Sequence, residues 1–429
     1  MAITDDVVVV GGGLAGVMAA LSAAEHGGRV RLLTYKQSTL RHASGLIDVL
    51  GYTPDGDGPL VDPFAALAEL PTGHPYERVG SDVVRDAVLY FDAVVGDAYA
   101  GEHTTANALV PTSSGSIKPT ARYPTGVGSG LASDPRDTLL VGFETLPEFD
   151  APLAAAHLDR TGVPFGTRGV TLRFPGLRRD DAKVTRYARL LDRDEPVDIG
   201  RGETTARAAL AALVTGRLEG ESRVGFPSIL GDANHDVVRR DLEERLGVDV
   251  FEVPSGPPSL PGMRLENRLY EALDDAGVRV TSGVPVVDYE ADDAGARVDH
   301  VLVDRKGQLV PYRADAYVLA TGGLVGKGVR STRDRVFEPI FDCHVEYAPD
   351  RYDWFDGSAF GEHPFARFGV DVDRELRPLD ARGSPQFENL RAAGAVLGGY
   401  DFAAEKSGSG VSLATGVFAG DRAGEEASG

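Results

Sequence analysis

The chain has 429 residues, 65 of them acidic and 44 basic, for a formal net charge of −21. That length allows two or three domains with a sizeable core, and that charge argues against nucleic acid or an anionic membrane as a direct partner. Only six of the basic residues are lysine, a balance expected of a protein that stays soluble in high salt, where screening relieves self-repulsion.

The first element is Val7-Val8-Val9-Val10, a β-branched run of the kind that forms a buried parallel strand. The turn Gly11-Gly12-Gly13-Leu14-Ala15-Gly16 follows, then a small, apolar helix over residues 14–24 and a second strand over 29–34. Strand, glycine turn, helix, strand is the setting in which G-x-G-x-x-G signals a phosphate cradle. Gly11 permits the tight turn, Gly13 lets the backbone approach a phosphate, and Gly16 lets helix and strand pack closely. The phosphate is expected at Gly12 to Leu14, on the free amides at the helix start. Residues 7–24 carry no charge, but their glycines and β-branched start argue against a membrane helix, and Asp5 and Asp6 argue against a signal peptide. A cytoplasmic protein is expected.

A dinucleotide fold usually ends its second strand on an acid that holds the adenosine ribose. Here that place carries Thr34 and Tyr35, followed by Lys36. One missing charge-assisted hydrogen bond is worth roughly 1.5–3 kcal/mol, about one to two decades of affinity. On this ground FMN, which ends at one phosphate, is expected ahead of FAD, with Lys36 or Arg41 closing over the phosphate.

The loop over 35–45 brings Lys36, Gln37, Ser38, Arg41, His42, Ser44 and Gly45, which suit either a polar ligand or a solvated connection. Residues 54–75 read as an exposed excursion, and 81–98 as a helix whose apolar stripe is core. Strand and helix signals then alternate over 137–143, 151–160, 169–174, 203–218, 237–246 and 248–253, suggesting a second α/β structure. The charge-dense stretch 177–194 reads as a solvated helix face. The proline- and glycine-rich residues 254–262 mark a return to the first domain. A helix over 263–276 places Arg264 and Arg268 one turn apart. Strands at 278–281 and 298–304 lead to Ala316-Tyr317-Val318-Leu319-Ala320-Thr321-Gly322-Gly323, followed by a basic run through Arg335. Cys343, the single cysteine, excludes an intrachain disulfide and a four-cysteine zinc or iron–sulfur site. The histidines are scattered and no metal site is expected. Near the end stand Asn389 to Asp401 and Ser407-Gly408-Ser409-Gly410, which opens a last helix over 411–423 and offers further amides to a ligand.

The glycine turn, the A-T-G strand end and the late A-A-G segment resemble the flavin site of two-domain flavoproteins. Further residues narrow the resemblance: Gln37-Ser38 with Ser44-Gly45 and Asp48, Pro257-Pro258-Ser259 with Gly262 and Arg264-Leu265, Phe368-Gly369-Val370, Leu376-Arg377-Pro378, and Glu388 through Asp401. Together they resemble the B subunits of anaerobic glycerol-3-phosphate dehydrogenases, from end to end of the chain. The resemblance implies a flavin protein, usually assigned FMN, working in a three-part assembly. Its partners would be an FAD-bearing A subunit, which pairs with it, and a C subunit. The latter holds iron–sulfur clusters and ties the assembly to the inner face of the cell membrane. The resemblance also implies oxidation of sn-glycerol 3-phosphate to dihydroxyacetone phosphate, with electrons passed to quinone.

The fold expected is α/β: a Rossmann-type flavin domain over 1–50, 263–330 and 380–429, with an inserted α/β cap over 51–262 and 331–379. Its cofactor contacts would be Gly11, Gly12, Gly13, Leu14, Ala15, Gly16, Lys36, Ser38, Ser44, Gly45, Thr321, Gly322, Gly394, Asp401, Gly408 and Gly410. The residue after A-A-G is Ala395 rather than an acid, so Asp401 is the candidate for the ribityl hydroxyls. Arg41, His42, Arg264 and Arg268 are candidates for the substrate phosphate, and no general base stands out. Two other readings stay open: a flavin dehydrogenase of succinate or fumarate type, and a non-catalytic flavin-fold scaffold.

Overall fold

The computed structural model describes residues 2–36, 38–177, 183–200, 202–359 and 361–429. Gln37 of the polar loop, and residues 178–182 of the charge-dense stretch, lie outside them. The chain forms two compact units, one from 1–39, 48–96 and 268–429, the other from 40–47 and 97–267.

The first unit is built on a five-stranded parallel sheet. Its strands are β1 (Val7–Val10), β2 (Val30–Thr34), β3 (Arg279–Ser282), β4 (Ala316–Leu319) and β5 (Leu390–Ala392), in the order β3-β2-β1-β4-β5. This is the Rossmann order, and β1 lies at its centre. Val7 pairs with Val30 on one side and Ala316 on the other, so every residue of β1 and β4 is buried, as their unbroken apolar runs require. Asp5, just before β1, is buried and takes Arg31 of β2 at 2.5 Å and Arg279 of β3 at 3.2 Å, stitching three strands together. A smaller antiparallel sheet of Val286–Ala291, Val298–Arg305 and Gln308–Arg313 follows β3, with Ile3–Thr4 added in parallel at its edge.

Three helices accompany the sheet: α1 (Leu14–Ala24), α2 (Ser81–Val95) and α3 (Gly408–Ser428). α1 and α3 meet through small residues. A Cβ on Gly416 would stand 2.5 Å from the carbonyl oxygen of Ala15, and one on Gly420 would collide with that of Ala19. The i, i+4 glycines form a groove that lets the two backbones touch. Gly420→Val is therefore expected to cost about 3 kcal/mol or more, because rigid backbone cannot yield to the added methyls. Thermal unfolding of the purified variant checks this; an unchanged melting temperature would contradict the close approach.

The second unit carries a four-stranded parallel sheet in the order Asp249–Val253, Arg223–Pro227, Thr138–Phe143, Thr167–Leu172. Helices Ala151–Thr161, Val184–Asp192, Ala206–Thr215 and His235–Leu246 belong to this unit, the alternation expected of βαβ units. Val184–Asp192 buries Tyr187, Ala188, Leu190 and Leu191, so only part of the charge-dense stretch is a solvated face. Arg223 is fully buried, and its guanidinium donates to the carbonyls of Ser129, Leu131, Asp134 and Arg136 at 2.9–3.1 Å. All those donors must find acceptors once water is excluded.

The unit boundaries differ from those expected of the two domains. Segments 48–96 and 331–379 belong to the first unit, because Val84, Val88 and Phe91 of α2 are buried on its side of the division. Residues 254–262 do not end the second unit; the division falls at residue 268, within helix Leu260–Asp275, whose Leu260 and Met263 sit in the second unit's core. Among the described residues, no helix is long and apolar enough to cross a membrane.

Candidate functional site

The run of valines must end where β1 ends, and Gly11 ends it with a φ of +122°, a conformation that suits glycine. Its N–H donates to Leu33 at 2.9 Å, and a Cβ there would collide with the carbonyl of Ala320. Gly16, one turn into α1, would drive a Cβ into the carbonyl of Gly11. Gly12 is confined by the hydroxyls of Tyr270 and Thr34, 2.6 and 2.8 Å from where its Cβ would be. These three glycines are required by the protein's own packing. Gly13 is different: nothing stands within 4 Å of its Cβ position. No side chain caps α1 and no acid stands in its first turn, so the amides at its start face a space that a phosphate fits.

That space belongs to a cavity of about 450 Å³ within the first unit. Gly11, Gly12 and Gly13 form one end. Thr34, Tyr35, Lys36 and Ser38 line it past the end of β2, and Val284 to Val287 line it beyond β3. The A-T-G strand end contributes Ala320, Thr321 and Gly322, and the loop after it contributes Lys327 and Arg330. The Thr321 hydroxyl is buried with no hydrogen-bond partner among the described residues, an unmet polar atom on the cavity's wall.

The predicted residues separate into those gathered at the cavity and those used elsewhere. Gly11, Gly12, Gly13, Lys36, Ser38, Thr321 and Gly322 line it together. Leu14, Ala15 and Gly16 form the buried first turn of α1 behind it. Gly394 donates its N–H to Thr415 at 2.8 Å and packs against Ala15. Asp401 does not reach outward: its carboxylate accepts the amides of Ala403 and Ala404, both at 3.0 Å, as a helix cap. Gly410 offers no spare amide either, because its N–H donates to the carbonyl of Asp48 at 2.7 Å. A Cβ at Gly410 would stand 2.6 Å from that same oxygen, which is reason enough for glycine there. Gly408 begins α3 beside Phe402. None of Gly394, Asp401, Gly408 and Gly410 lines the cavity.

Ser44, Gly45, Arg41, His42 and Arg264 lie in the second unit, and Arg268 is exposed in the first, at the division. Gly45 accepts the Tyr99 hydroxyl at 2.7 Å, and the Ser44 hydroxyl accepts the amide of Leu46 at 3.4 Å. Arg264 is engaged by the buried carboxylate of Glu252, at 2.6 and 3.0 Å, and also donates to the carbonyl of Gly231. That fork–fork pair takes the donors a phosphate would need.

Arg41 stands 3.4 Å from Glu266, a group that sequence reasoning missed. Burial lifts the Glu266 carboxyl above the usual carboxylate range, against the opposing pull of Arg41 and His42. A raised folded-state pKa means that this group's contribution to stability is present at low pH and lost as pH rises through that pKa. Glu266→Gln is therefore expected to raise the melting temperature at neutral pH and to leave it unchanged near about pH 4. Melting curves across pH check the sign, and a lower melting temperature at neutral pH would contradict it. Cys343 is buried and its thiol pushed well up by that burial, so it is an inert core residue. Among the described residues, no group of three His, Cys, Asp or Glu side chains could hold a metal.

A parallel sheet in this order, with an open phosphate cradle at the start of its first helix, defines a nucleotide-cofactor protein of Rossmann type. The family model described as FAD binding domain matches residues 6–411. The chain is 59% identical over 425 residues to the B subunit of a probable anaerobic glycerol-3-phosphate dehydrogenase of Halobacterium salinarum, covering 99% of each chain. It is 31% identical over 434 residues to the anaerobic glycerol-3-phosphate dehydrogenase B subunit of Yersinia pseudotuberculosis, covering 97% of each. Among solved structures, the 3-ketosteroid-Δ4-(5α)-dehydrogenase of Rhodococcus jostii aligns with 15% identity and a TM-score of 0.40, over 100% of this chain and 97% of that one. The chain belongs to the family of anaerobic glycerol-3-phosphate dehydrogenase B subunits, and it is a flavin-binding oxidoreductase component of a multi-subunit enzyme.

Proposed function

We propose that this chain is the FAD-bearing B subunit of a glycerol-3-phosphate dehydrogenase that oxidises sn-glycerol 3-phosphate to dihydroxyacetone phosphate. The observation that carries the reading is the open cradle at Gly13 in a cavity that runs on past the end of β2. The expectation of FMN gives way here to FAD. The missing acid removes one ribose contact, but the cavity continues to Val284 to Val287, an apolar stretch that suits a purine and for which FMN has no use. The matched family model, of a FAD binding domain, favours the same cofactor.

On this reading the first unit is the flavin domain and the second the cap. Gly12, Gly13 and Leu14 hold a phosphate by their amides, and the buried Thr321 hydroxyl takes a polar atom of the cofactor. Bound flavin supplies the two-electron acceptor for the carbinol hydrogen. Arg41 and His42 are positioned to meet a phosphate, and Glu266, whose carboxyl burial lifts, is the proton acceptor for the substrate hydroxyl. Electrons leave through the partners, an FAD-bearing A subunit, then an iron–sulfur C subunit. These hold the assembly peripherally on the inner face of the cell membrane and reduce quinone. The chain's own single cysteine cannot hold a cluster.

The assembled complex, purified from native membranes, tests this directly. Reduction of a quinone analogue with glycerol 3-phosphate, and none with succinate, is expected. Activity with the dicarboxylate alone would overturn the assignment, and a complex lacking this chain yet fully active would make the chain a scaffold.

A further inference from the structure

We propose that Lys36, Lys327 and Arg330 form a cationic wall of the first unit's cavity that binds the diphosphate of a nucleotide. The proposal rests on the flavin reading above. Among the described residues lining that cavity these three are the only charged side chains, and no acid faces it. In a chain with 65 acids against 44 bases, an all-cationic lining is the reverse of the surface at large. Among the described residues none of the three is paired with a carboxylate, whereas Arg29, Arg31, Arg264 and Arg391 each hold one. Two of the six lysines of the whole chain are spent here.

The cations stand on folded backbone rather than on a loose strand. Lys36 directly follows the Tyr35 ring, with its Nζ 5.6 Å from the ring centre. The Thr34 hydroxyl donates to the Lys36 carbonyl at 3.1 Å, fixing that corner. Gly328 lies so close that a Cβ would collide with the carbonyl of Gly322, so the loop bearing Lys327 is folded onto the A-T-G turn. Arg330 sits in the short strand Arg330–Ser331, paired with Val336–Phe337.

The wall gives the missing acid a physical meaning. A carboxylate at the end of β2 would hold a ribose hydroxyl but repel phosphate. Thr34 and Tyr35 remove that repulsion, and Lys36 replaces it with attraction. In high salt only ion pairs at direct contact survive screening, since the Debye length falls to about 3 Å at molar ionic strength. Binding energy must then come from short ammonium– and guanidinium–phosphate contacts of the kind these side chains make.

The apo-chain, stripped of flavin and titrated in molar potassium chloride with FAD, ADP and riboflavin, tests the proposal. The Lys327→Gln, Arg330→Gln double variant is expected to bind FAD and ADP about tenfold or more weakly and riboflavin unchanged. The Lys327→Arg, Arg330→Lys variant is expected to keep the affinity for both phosphorylated ligands within about twofold. Unaltered FAD and ADP binding in the double glutamine variant would overturn the proposal while leaving the flavin reading intact. An equal loss of riboflavin binding would also overturn it, because riboflavin carries no phosphate. A wild-type chain that binds none of the three ligands would instead overturn the flavin reading itself.

Discussion

Replacing Gly13 with valine is expected to yield a folded chain without flavin. At this position φ is −80° and ψ −177°, extended backbone that valine adopts readily, and no protein atom stands within 4 Å of the new Cβ. The fold therefore has nothing to lose. The added methyls occupy the space in front of the α1 amides, and two charge-assisted hydrogen bonds lost there are worth roughly 3–6 kcal/mol, about two to four decades in affinity. The purified variant should show wild-type circular dichroism and no absorbance from flavin. Gly16→Val makes the contrast: its Cβ meets the carbonyl of Gly11 directly, so that variant is expected to fail in folding rather than in binding. Full flavin content in the Gly13 variant would mean that the phosphate lies elsewhere.

The second large effect concerns salt. With acids exceeding bases by 21, two electrostatic effects oppose each other as ionic strength rises. Surface pairs such as Arg29–Asp6, at 2.7 Å, and Arg239–Glu243, at 2.6 Å, weaken on screening. Each of these is worth only about 0–1 kcal/mol. The repulsion among carboxylates without a cation is relieved at the same time, and it acts over a Debye length of about 30 Å in dilute buffer. Relief wins. The melting temperature is expected to rise by about 10 °C or more between dilute buffer and molar potassium chloride, equivalent to roughly 3–5 kcal/mol for a domain of moderate size. A flat or falling curve would leave the acid-rich composition without this explanation.

Much of the sheet was legible because its signals are local. Four consecutive valines, a glycine turn and a small-residue helix are tied by sequence neighbours, and β4 announces itself by an unbroken apolar run ending in Ala320-Thr321-Gly322. What decided the unit boundaries is long-range packing: α2 has an amphipathic stripe that says it is covered, but nothing in the stripe says by which unit. The site divides the same way. Gly13 and Gly11 look alike in sequence, and only the empty space at one and the Ala320 carbonyl at the other separate ligand from packing. Gly410 opens a helix as a phosphate-binding glycine would, yet the Asp48 carbonyl, more than 360 positions away, takes its amide. Glu266 carried no sequence signal, because its raised carboxyl depends on burial and on Arg41 and His42 arriving from a distant segment. Lys327 and Arg330 were visible only as part of a basic run, and it is their shared cavity with Lys36 that sets them apart.

The identity of the bound flavin bears most directly on the link between this cavity and its cofactor. Denaturing the purified chain in molar salt and separating the released cofactor beside FAD and FMN standards measures it. One equivalent of FAD per chain is the result expected from a cavity that runs from the Gly13 cradle to Val284 to Val287. Stoichiometric FMN would contradict the use of that far end, and a chain that releases no flavin at all would contradict its assignment as a flavoprotein.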